Sequence, residues 1–235
     1  MILGVAGMIG SGKTTLAHAL ASRFGLQLAL ESVDDENPWL ERFYGGGPEA
    51  MRSCGMHLQL HFLATRFAAM RRMRAMGGSW VLDRTWYEDA EVFARGLYDQ
   101  GYMSVDDWQL YQQLYAELLF APAARPPRLM LYLHGPLDVI LERIATRGRP
   151  RERDADPEYF SQLHGRYERW IAGFKKCPLI KLDVREYDLF TDPAGAAEDI
   201  AARVRAELEG EIPQTELWPG IKRSDSDQME SPGPR

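Results

Sequence analysis

The segment Gly7–Thr14 has the residue types and the spacing of a phosphate-binding loop. It reads Gly-Met-Ile-Gly-Ser-Gly-Lys-Thr, which fits a glycine, four residues, Gly-Lys, and then serine or threonine. Its glycines let consecutive backbone N–H groups point into one hollow, where a triphosphate can lie at a helix N-terminus. Lys13 adds a positive charge for the β- and γ-phosphates, and the Thr14 hydroxyl suits Mg²⁺. A glycine-rich turn without a ligand is the alternative, but the strand pattern before the loop and the helical pattern after it favour binding of a nucleoside triphosphate.

Charged side chains also follow two apolar segments of strand type. Glu31 follows one of them, and the pair Asp83-Arg84 follows the other. Ligands of an open parallel sheet bind outside the carboxyl ends of its strands, so we expect these side chains near the loop. There Glu31 could accept the proton of a hydroxyl that attacks the γ-phosphate, Asp83 could hold Mg²⁺, and Arg84 could neutralise charge or position the acceptor. The alternatives are a solvated acid at a strand end and an ordinary surface Asp-Arg pair.

A run of arginines follows a predicted helix in the second half of the chain. Its members are Arg147, Arg149, Arg151 and Arg153. Such a run is usually a solvated loop, but a phosphoryl-transfer enzyme needs a movable cationic lid that cancels charge in the transition state and excludes water. Because a phosphate-binding loop is also present, we favour the lid.

Apolar segments that alternate with helical patterns predict an α/β fold. The predicted strands are Met1–Ala6, Leu26–Leu30, Trp80–Leu82, Leu129–Leu133 and Leu179–Leu182. The longer predicted helices are Pro48–Met76, Glu88–Tyr98, Val105–Phe120 with Ser104 as its cap, Pro157–Lys175 and Pro193–Leu208. This alternation indicates a five-stranded parallel sheet with helices on both faces. We expect one domain over residues 1–210, with the lid at about 147–157, and a flexible tail over residues 211–235.

The composition excludes several classes of protein. A net charge of −6 argues against a general binder of nucleic acids or membrane surfaces. No apolar run approaches the ~20 residues of a membrane span, and no signal peptide is visible, which favours a cytoplasmic protein. Cys54 and Cys177 lie far apart without metal-ligand spacing, so we expect reduced thiols, with a disulfide as the alternative.

The order and spacing of these motifs resemble the deoxyribonucleoside kinase family, in the group of deoxycytidine, deoxyguanosine and bacterial deoxyadenosine kinases. The matching motifs are Gly7–Thr15, Glu31-Ser32-Val33, Gln59 with Arg66, Asp83-Arg84-Thr85 followed by Tyr87, Asp89 and Phe93, and Arg147–Glu152. The resemblance extends to about Leu208 and implies a P-loop kinase fold with an arginine-rich lid. Thr85 stands where the family has serine, and Asp83 where many members have glutamate.

The resemblance implies four sets of site residues. The implied catalytic residues are Glu31, Lys13, Arg84, Arg147 and Arg149. The implied ATP-binding residues are Gly7, Met8, Ile9, Gly10, Ser11, Gly12, Lys13, Thr14, Thr15, Arg147, Arg149, Glu152, Val184, Arg185 and Glu186, the last three in a loop that would clasp the adenine. The implied deoxynucleoside-binding residues are Glu31, Tyr44, Gln59, Phe62, Arg66, Arg84, Asp89, Phe93 and Glu158. The implied metal-binding residues are Thr14 and Asp83.

Within these sets, the resemblance gives the sugar and the base separate partners. Glu31 would be the general base for the deoxyribose 5′-hydroxyl, and Arg84 would orient it. Tyr44 and Glu158 would hold the 3′-hydroxyl. Gln59 would form paired hydrogen bonds with the base edge.

The implied base pocket has two charged residues at its far end and two aromatic residues along its wall. The Arg66–Asp89 pair is associated in the family with cytosine or purine substrates and is absent from thymidine-preferring members. Phe62 and Phe93 would wall the base, although ordinary helix core is an equal alternative for both.

The sequence therefore predicts ATP- and Mg²⁺-dependent phosphorylation of deoxyadenosine, deoxyguanosine or deoxycytidine in preference to thymidine. A nucleoside monophosphate kinase of the thymidylate kinase type is one alternative, and a nucleotide-dependent switch is another. The first would want an arginine beside the acid at Glu31, where Leu30 and Ser32 stand instead. The second would carry an Asn-Lys-x-Asp motif, which the sequence lacks. The resemblance also implies a homodimer formed through long helices of the kind predicted at Pro48–Met76 and Glu88–Tyr98.

Overall fold

The computed structural model describes residues 1–30, 37–148 and 157–211. Within these ranges, five strands form one sheet in the order β2-β3-β1-β4-β5, and every neighbouring pair is parallel. The strands are β1 (Ile2–Gly7), β2 (Gln27–Ala29), β3 (Trp80–Asp83), β4 (Leu129–His134) and β5 (Leu179–Asp183). The predicted fold class is confirmed, and each predicted strand is present to within a few residues.

Helices connect the strands and cover both faces of the sheet. They are α1 (Lys13–Phe24), α2 (Leu40–Gly45), α3 (Gly47–Met76), α4 (Trp86–Glu88), α5 (Arg95–Asp99), α6 (Val105–Phe120), α7 (Leu137–Arg147), α8 (Pro157–Ala172) and α9 (Pro193–Glu211). A π-helical segment, Asp89–Ala94, joins α4 to α5. The Ser104 cap of α6 is confirmed, because its hydroxyl accepts a hydrogen bond from the Asp107 backbone N–H at 3.0 Å.

Side chains alternate between two apolar layers along the central strands. In β4, Leu129 and Leu131 belong to the layer that α1 and α9 cover, while Met130 and Tyr132 belong to the layer that α3 and α8 cover. Successive residues of a strand point to opposite faces, so a sheet buried on both sides needs an unbroken apolar run. This is why the strands could be recognised from short apolar segments.

The strand register brings the functional loops to one edge of the sheet. Val5 of β1 pairs with Asp83, and Ala29 of β2 pairs with Leu82. The chain therefore leaves β1, β2 and β3 at the same carboxyl edge. The Arg84 backbone N–H extends this pairing by donating to the Val5 carbonyl at 2.9 Å.

Two helix predictions need correction. The helix predicted at Glu88–Tyr98 instead begins at Trp86, because Thr85 caps it, and its middle is π-helical. In the π segment, the Arg95 N–H donates to the carbonyl of Ala90, five residues back instead of four. The helix predicted to reach Lys175 ends at Ala172, where the Gly173 N–H turns back to the Trp170 carbonyl.

Three of the sequence predictions lie partly or wholly outside the described residues. These are the arginine-rich segment after Gly148, the tail after Glu211, and Glu31. In the part of the chain that is described, no helix is long and apolar enough to cross a membrane. Cys54 and Cys177 are both free thiols, as expected. The cytoplasmic location stays a prediction.

Candidate active site

The phosphate-binding loop runs from the end of β1 to the start of α1 and has a backbone that requires glycine. Gly7, Gly10 and Gly12 have φ angles of 147°, 86° and 97°, which side chains disfavour. At Gly7, a Cβ atom would lie 2.6 Å from the Leu133 carbonyl oxygen. The loop is therefore closely packed on β4, and its glycines cannot be replaced without moving it.

Lys13 and Thr14 begin α1 at the carboxyl edge of the sheet. The Lys13 side chain is almost buried, and its Nζ donates to the Met8 carbonyl across the loop at 3.0 Å. The Thr14 hydroxyl donates to Oδ2 of Asp83 at 2.5 Å. The first turn of α1 is thus joined to the end of β3, as the predicted metal pair requires.

The oxygen atoms of Thr14 and Asp83 suit Mg²⁺. Oδ1 of Asp83 is buried and has no hydrogen-bond partner among the described residues. Mg²⁺ is usually held by one or two carboxylates together with water and substrate phosphates, so a larger cluster of protein ligands is not required. Among the described residues there is no group of three or more His, Cys, Asp or Glu side chains that could hold a metal alone.

Arg84 has a strained backbone that aims its side chain into the protein. Its φ angle of 72° makes it the one non-glycine residue of the described ranges with a positive φ. Arg84 is 5% exposed. Its guanidinium donates from Nη1 to the Tyr167 hydroxyl at 2.8 Å and lies 4.6 Å from the centre of the Phe93 ring. The cation is therefore fixed in position by contacts from α8 and from the π segment.

Glu88 is a fully buried acid that the sequence analysis did not assign. Its Oε1 accepts hydrogen bonds from the Gly7 N–H at 3.2 Å and from the Tyr167 hydroxyl at 3.0 Å, and its Oε2 accepts from the Thr85 N–H at 2.9 Å. Burial raises the pKa of Glu88 above its usual range, while the nearby cations Arg84 and Lys13 oppose that rise. The pattern Thr85-x-x-Glu88 is a capping box, a local signal that could have marked this residue.

Arg66 and Asp89 form a buried ion pair between α3 and the π segment. Nε and Nη2 of Arg66 lie 3.0 and 3.4 Å from the two oxygens of Asp89, and the side chains are 10% and 3% exposed. Nη1 of Arg66 also donates to the Arg84 carbonyl at 3.4 Å. The pair predicted from the sequence is therefore present and is connected to the end of β3.

Gln59 lies on the same face of α3, two turns before Arg66. It is almost buried, and its Oε1 has no hydrogen-bond partner among the described residues. Phe62 and Phe93 are both partly buried against the core, and Phe93 packs edge-to-face on Tyr167. A buried amide oxygen without a partner, in a site that also has aromatic side chains, is the kind of lining that binds a nucleobase.

The opposite end of the site is bounded by α7 and by the loop after β5. A Cβ atom on Gly10 would lie 2.5 Å from Cγ1 of Ile144, so the phosphate-binding loop packs directly on α7. Arg143 of α7 donates from Nη2 to the Val184 carbonyl at 2.6 Å and lies 5.0 Å from the centre of the half-exposed Phe190 ring. The sequence analysis assigned neither Arg143 nor Phe190.

The predicted donor-loop residues differ in their surroundings. Val184 is fully buried, and its N–H donates to the His134 carbonyl at 2.8 Å. Arg185 is paired with Asp183 at 2.6 Å, and this hydrogen-bonded pairing lowers the pKa of Asp183 to about 2. The Val184 side chain therefore belongs to the core, so only the backbone of this residue could contact a ligand.

Comparison with known proteins assigns the chain. A family model described as deoxynucleoside kinase matches residues 3–209. The chain belongs to the deoxynucleoside kinase family. The deoxyadenosine/deoxycytidine kinase of Bacillus subtilis is 41% identical over 191 residues, which cover 81% of this chain and 86% of that protein. The deoxyadenosine kinase of Dictyostelium discoideum is 34% identical over 210 residues, which cover 88% and 79%.

A solved structure confirms the fold of this deoxynucleoside kinase. The deoxyadenosine kinase from M. mycoides, solved with the products dCMP and a flexible dCDP, matches with a TM-score of 0.73 and 22% identity. The match covers 88% of this chain and 100% of that one. The P-loop kinase fold predicted from the sequence is thus confirmed. The family match confirms deoxynucleoside phosphorylation as the function and favours neither the monophosphate kinase nor the switch.

Several residues that the sequence assigned to this kinase site are not described. Glu31, Arg149 and Glu152 lie outside the described residues, as does the side chain of Tyr44. Arg147 is the last residue of α7 and is exposed, and Glu158 is exposed in the first turn of α8, where it accepts from Gln162 at 3.0 Å. The described geometry thus joins the phosphate loop, Asp83, Arg84 and the residues assigned to the base, while the catalytic and binding roles assigned to all of these residues stay predictions.

Proposed function

We propose that this deoxynucleoside kinase transfers the γ-phosphoryl group of ATP to the 5′-hydroxyl of deoxyadenosine or deoxycytidine. The choice of base rests on the buried ion pair in which two nitrogen atoms of Arg66 contact the two carboxylate oxygens of Asp89. Arg66 lies on the face of α3 that also holds Gln59, whose Oε1 is buried without a partner among the described residues. The name of the 41% identical relative in Bacillus subtilis supports the same two substrates.

The triphosphate of ATP would lie in the hollow of the phosphate-binding loop. The positive-φ glycines turn backbone N–H groups toward it, and Lys13 adds a cation. The adenine would lie against the backbone of the loop after β5, where Arg143 and Phe190 offer a cation and an exposed ring. Arg147, at the end of α7, would approach the phosphates from the lid side.

Mg²⁺ is the metal whose ligand preferences fit Thr14 and Asp83. When bound, Mg²⁺ offsets the charge that develops on the phosphate oxygens. The hydrogen bond between the Thr14 hydroxyl and Asp83 holds these two oxygen ligands together.

In the proposed reaction, the deoxyribose 5′-oxygen attacks the γ-phosphorus and the bond from phosphorus to the β,γ-bridging oxygen breaks. ADP leaves, and the proton of the 5′-hydroxyl passes to Glu31. The chain enters the segment containing Glu31 from the carboxyl end of β2, the same edge as Asp83 and Arg84. Arg84 would bind the developing negative charge near the acceptor oxygen, because α8 and Phe93 fix its guanidinium there.

Asp89 supports the proposed selection of the base. Adenine and cytosine carry an exocyclic amino group where guanine and thymine carry a carbonyl oxygen. The carboxylate of Asp89 can accept a hydrogen bond from the amino group but repels a carbonyl oxygen. The amide of Gln59 can pair with either pattern by rotation, so it contributes affinity rather than discrimination. A buried site that leaves a polar group unpaired with the wrong substrate discriminates strongly.

The test is a competition assay with purified protein and Mg-ATP. The four deoxynucleosides are offered together and, in parallel, the four deoxynucleoside monophosphates, and the products are resolved by chromatography. We expect kcat/KM for deoxyadenosine and deoxycytidine to exceed the values for deoxyguanosine and thymidine by about a hundredfold or more. Equal use of thymidine would refute the base assignment, and diphosphates formed only from monophosphates would refute the reaction.

A double variant tests whether the ion pair makes this choice. In Arg66→Leu/Asp89→Ala, the ratio of kcat/KM for deoxyadenosine to kcat/KM for thymidine should fall by about tenfold or more, without loss of phosphorylation. The matched control is Arg95→Leu/Asp99→Ala, which removes an ion pair of the same type at 2.8 Å whose side chains are 52% and 40% exposed. The control should keep the ratio of the unaltered protein. An unchanged ratio in the first variant would show that Arg66 and Asp89 do not select the base.

We also propose that the protein forms a homodimer through α3 and α6. Leu110 and Leu114 lie one turn apart on α6 and are 48% and 40% exposed. The segment Glu88–Tyr98, which the sequence analysis favoured, is mostly buried within the chain, and this supports α6 as the second helix of the interface.

A further inference from the structure

The carboxylate of Glu88 joins parts of the site that are far apart in the sequence. Gly7 opens the phosphate-binding loop, Thr85 follows β3, and Tyr167 lies on α8. Glu88 is 0% exposed, so water does not compete for its oxygens. Arg84 lies 3.9 Å away and completes the cluster.

The hydrogen bonds of this cluster have a defined direction. Arg84 donates to the Tyr167 hydroxyl at 2.8 Å, and the same hydroxyl donates to Oε1 of Glu88 at 3.0 Å. Each Glu88 oxygen also accepts one backbone N–H, from Gly7 or from Thr85. A phenol hydroxyl can accept and donate at once, so the Tyr167 hydroxyl links the guanidinium of Arg84 to the carboxylate of Glu88 and couples their positions.

We propose that Glu88 and Tyr167 are positioning residues that hold Arg84 and the phosphate-binding loop in a fixed relation. The inference rests on the proposed function, because it concerns the alignment of donor and acceptor in that reaction. Glu88 acts on both partners, since it binds Gly7 on one side and reaches Arg84 through Tyr167 on the other. Tyr167 acts on Arg84. Misplacement of a reacting group by about 1 Å can cost about a hundredfold in rate.

Because Glu88 contacts the phosphate-binding loop and Tyr167 acts on Arg84, two conservative variants should have different kinetics. Tyr167→Phe keeps the ring but removes the hydroxyl, so Arg84 loses this hydrogen bond and kcat should fall by about tenfold or more, with the KM for ATP unchanged within about twofold. Glu88→Gln places amide hydrogens against a backbone N–H whichever way the amide turns. Its kcat should fall similarly, and its KM for ATP should also rise severalfold, because an amide NH2 repelled by the N–H of Gly7 or of Thr85 displaces the side chain that holds Gly7.

The matched control is Tyr132→Phe. Tyr132 is also buried, stacks on Tyr167 with ring centres 6.3 Å apart, and donates its hydroxyl to Glu168 at 2.9 Å. It loses the same type of hydrogen bond in the same layer without touching Arg84. We expect its kcat to stay within about twofold of the unaltered protein.

The experiment measures kcat, both KM values and the Tm of the three single variants and of Glu88→Gln/Tyr167→Phe. Because the two residues act in one chain of hydrogen bonds, the double variant should lose less activity than the product of the single losses. A folded Tyr167→Phe enzyme with kcat within twofold of the original would overturn the proposal, as would an equal loss in Tyr132→Phe. Inactivity of the unaltered protein on all deoxynucleosides would instead refute the proposed function.

Discussion

Glu31 is the residue on which the proposed chemistry depends most directly. We expect Glu31→Gln to lower kcat by about a hundredfold to ten-thousandfold, because the amide cannot take the proton of the 5′-hydroxyl. Binding of ATP should be unaffected, since the phosphate-binding loop and Lys13 remain. Steady-state rates with deoxyadenosine and calorimetric titration with Mg-ATP measure the two effects separately.

The control for this substitution is Glu49→Gln, which makes the same chemical change at an exposed position in the first turn of α3. Its rates should match those of the unaltered protein. If Glu31→Gln turned over normally, Glu31 would have no part in proton transfer and another base would have to be sought.

Residue types and their spacing predicted some of the candidate site residues but not others. The phosphate loop, Asp83, and the pair Arg66 and Asp89 follow motifs whose spacing survives in the sequence. Tyr167 could not be recognised in this way. It lies among the apolar positions of α8, and only the tertiary contact with Arg84, 83 residues away in sequence, gives it a role.

At the scale of elements, the phosphate-binding loop packs so closely on α7 that one added methyl group should displace it. Gly10→Ala would put a Cβ atom 2.5 Å from Ile144 and 3.2 Å from the Ile140 carbonyl, at a φ of 86°. The loop would have to move away from α7, so we expect the KM for ATP to rise by about tenfold or more. The KM for the deoxynucleoside should change little.

Gly25→Ala separates backbone strain from this steric effect. Gly25 has a φ of 62°, but a Cβ atom there meets nothing within 4 Å. The substitution should therefore cost about 1 kcal/mol of unfolding free energy and leave the KM for ATP as it was. Equal rises in the KM for ATP in both variants would show that strain, and not the contact with α7, disturbs the loop.

The elements themselves were predictable to different degrees. Strands buried on both faces give short apolar runs, and these appear clearly in the sequence. The π-helical segment was missed because its extra residue leaves no change of composition between Asp89 and Ala94. The strand order β2-β3-β1-β4-β5 likewise depends on how crossovers pack, which no local pattern records.

At the scale of the whole molecule, the exposed leucines of α6 predict association. Leu110→Glu/Leu114→Glu should convert the proposed dimer to a monomer, because two charges would be buried in an apolar contact. Size-exclusion chromatography with light scattering measures the mass. Gln112→Glu adds a charge on another side of the same helix and should remain dimeric. A monomeric unaltered protein, or a dimer that survives the double substitution, would exclude this interface.

The wide turn between Asp89 and Ala94 makes the base pocket sensitive to chain length as well as to composition. It contains one residue more than an α-helical turn, and it includes both Asp89 and Phe93, the two residues proposed to line the base. Loss of a single codon here would restore the ordinary turn and rotate every later side chain by about 100° relative to Asp89. An insertion or deletion here would therefore replace Phe93 in the proposed pocket with a neighbouring side chain in one genetic event, while Asp89 keeps its place.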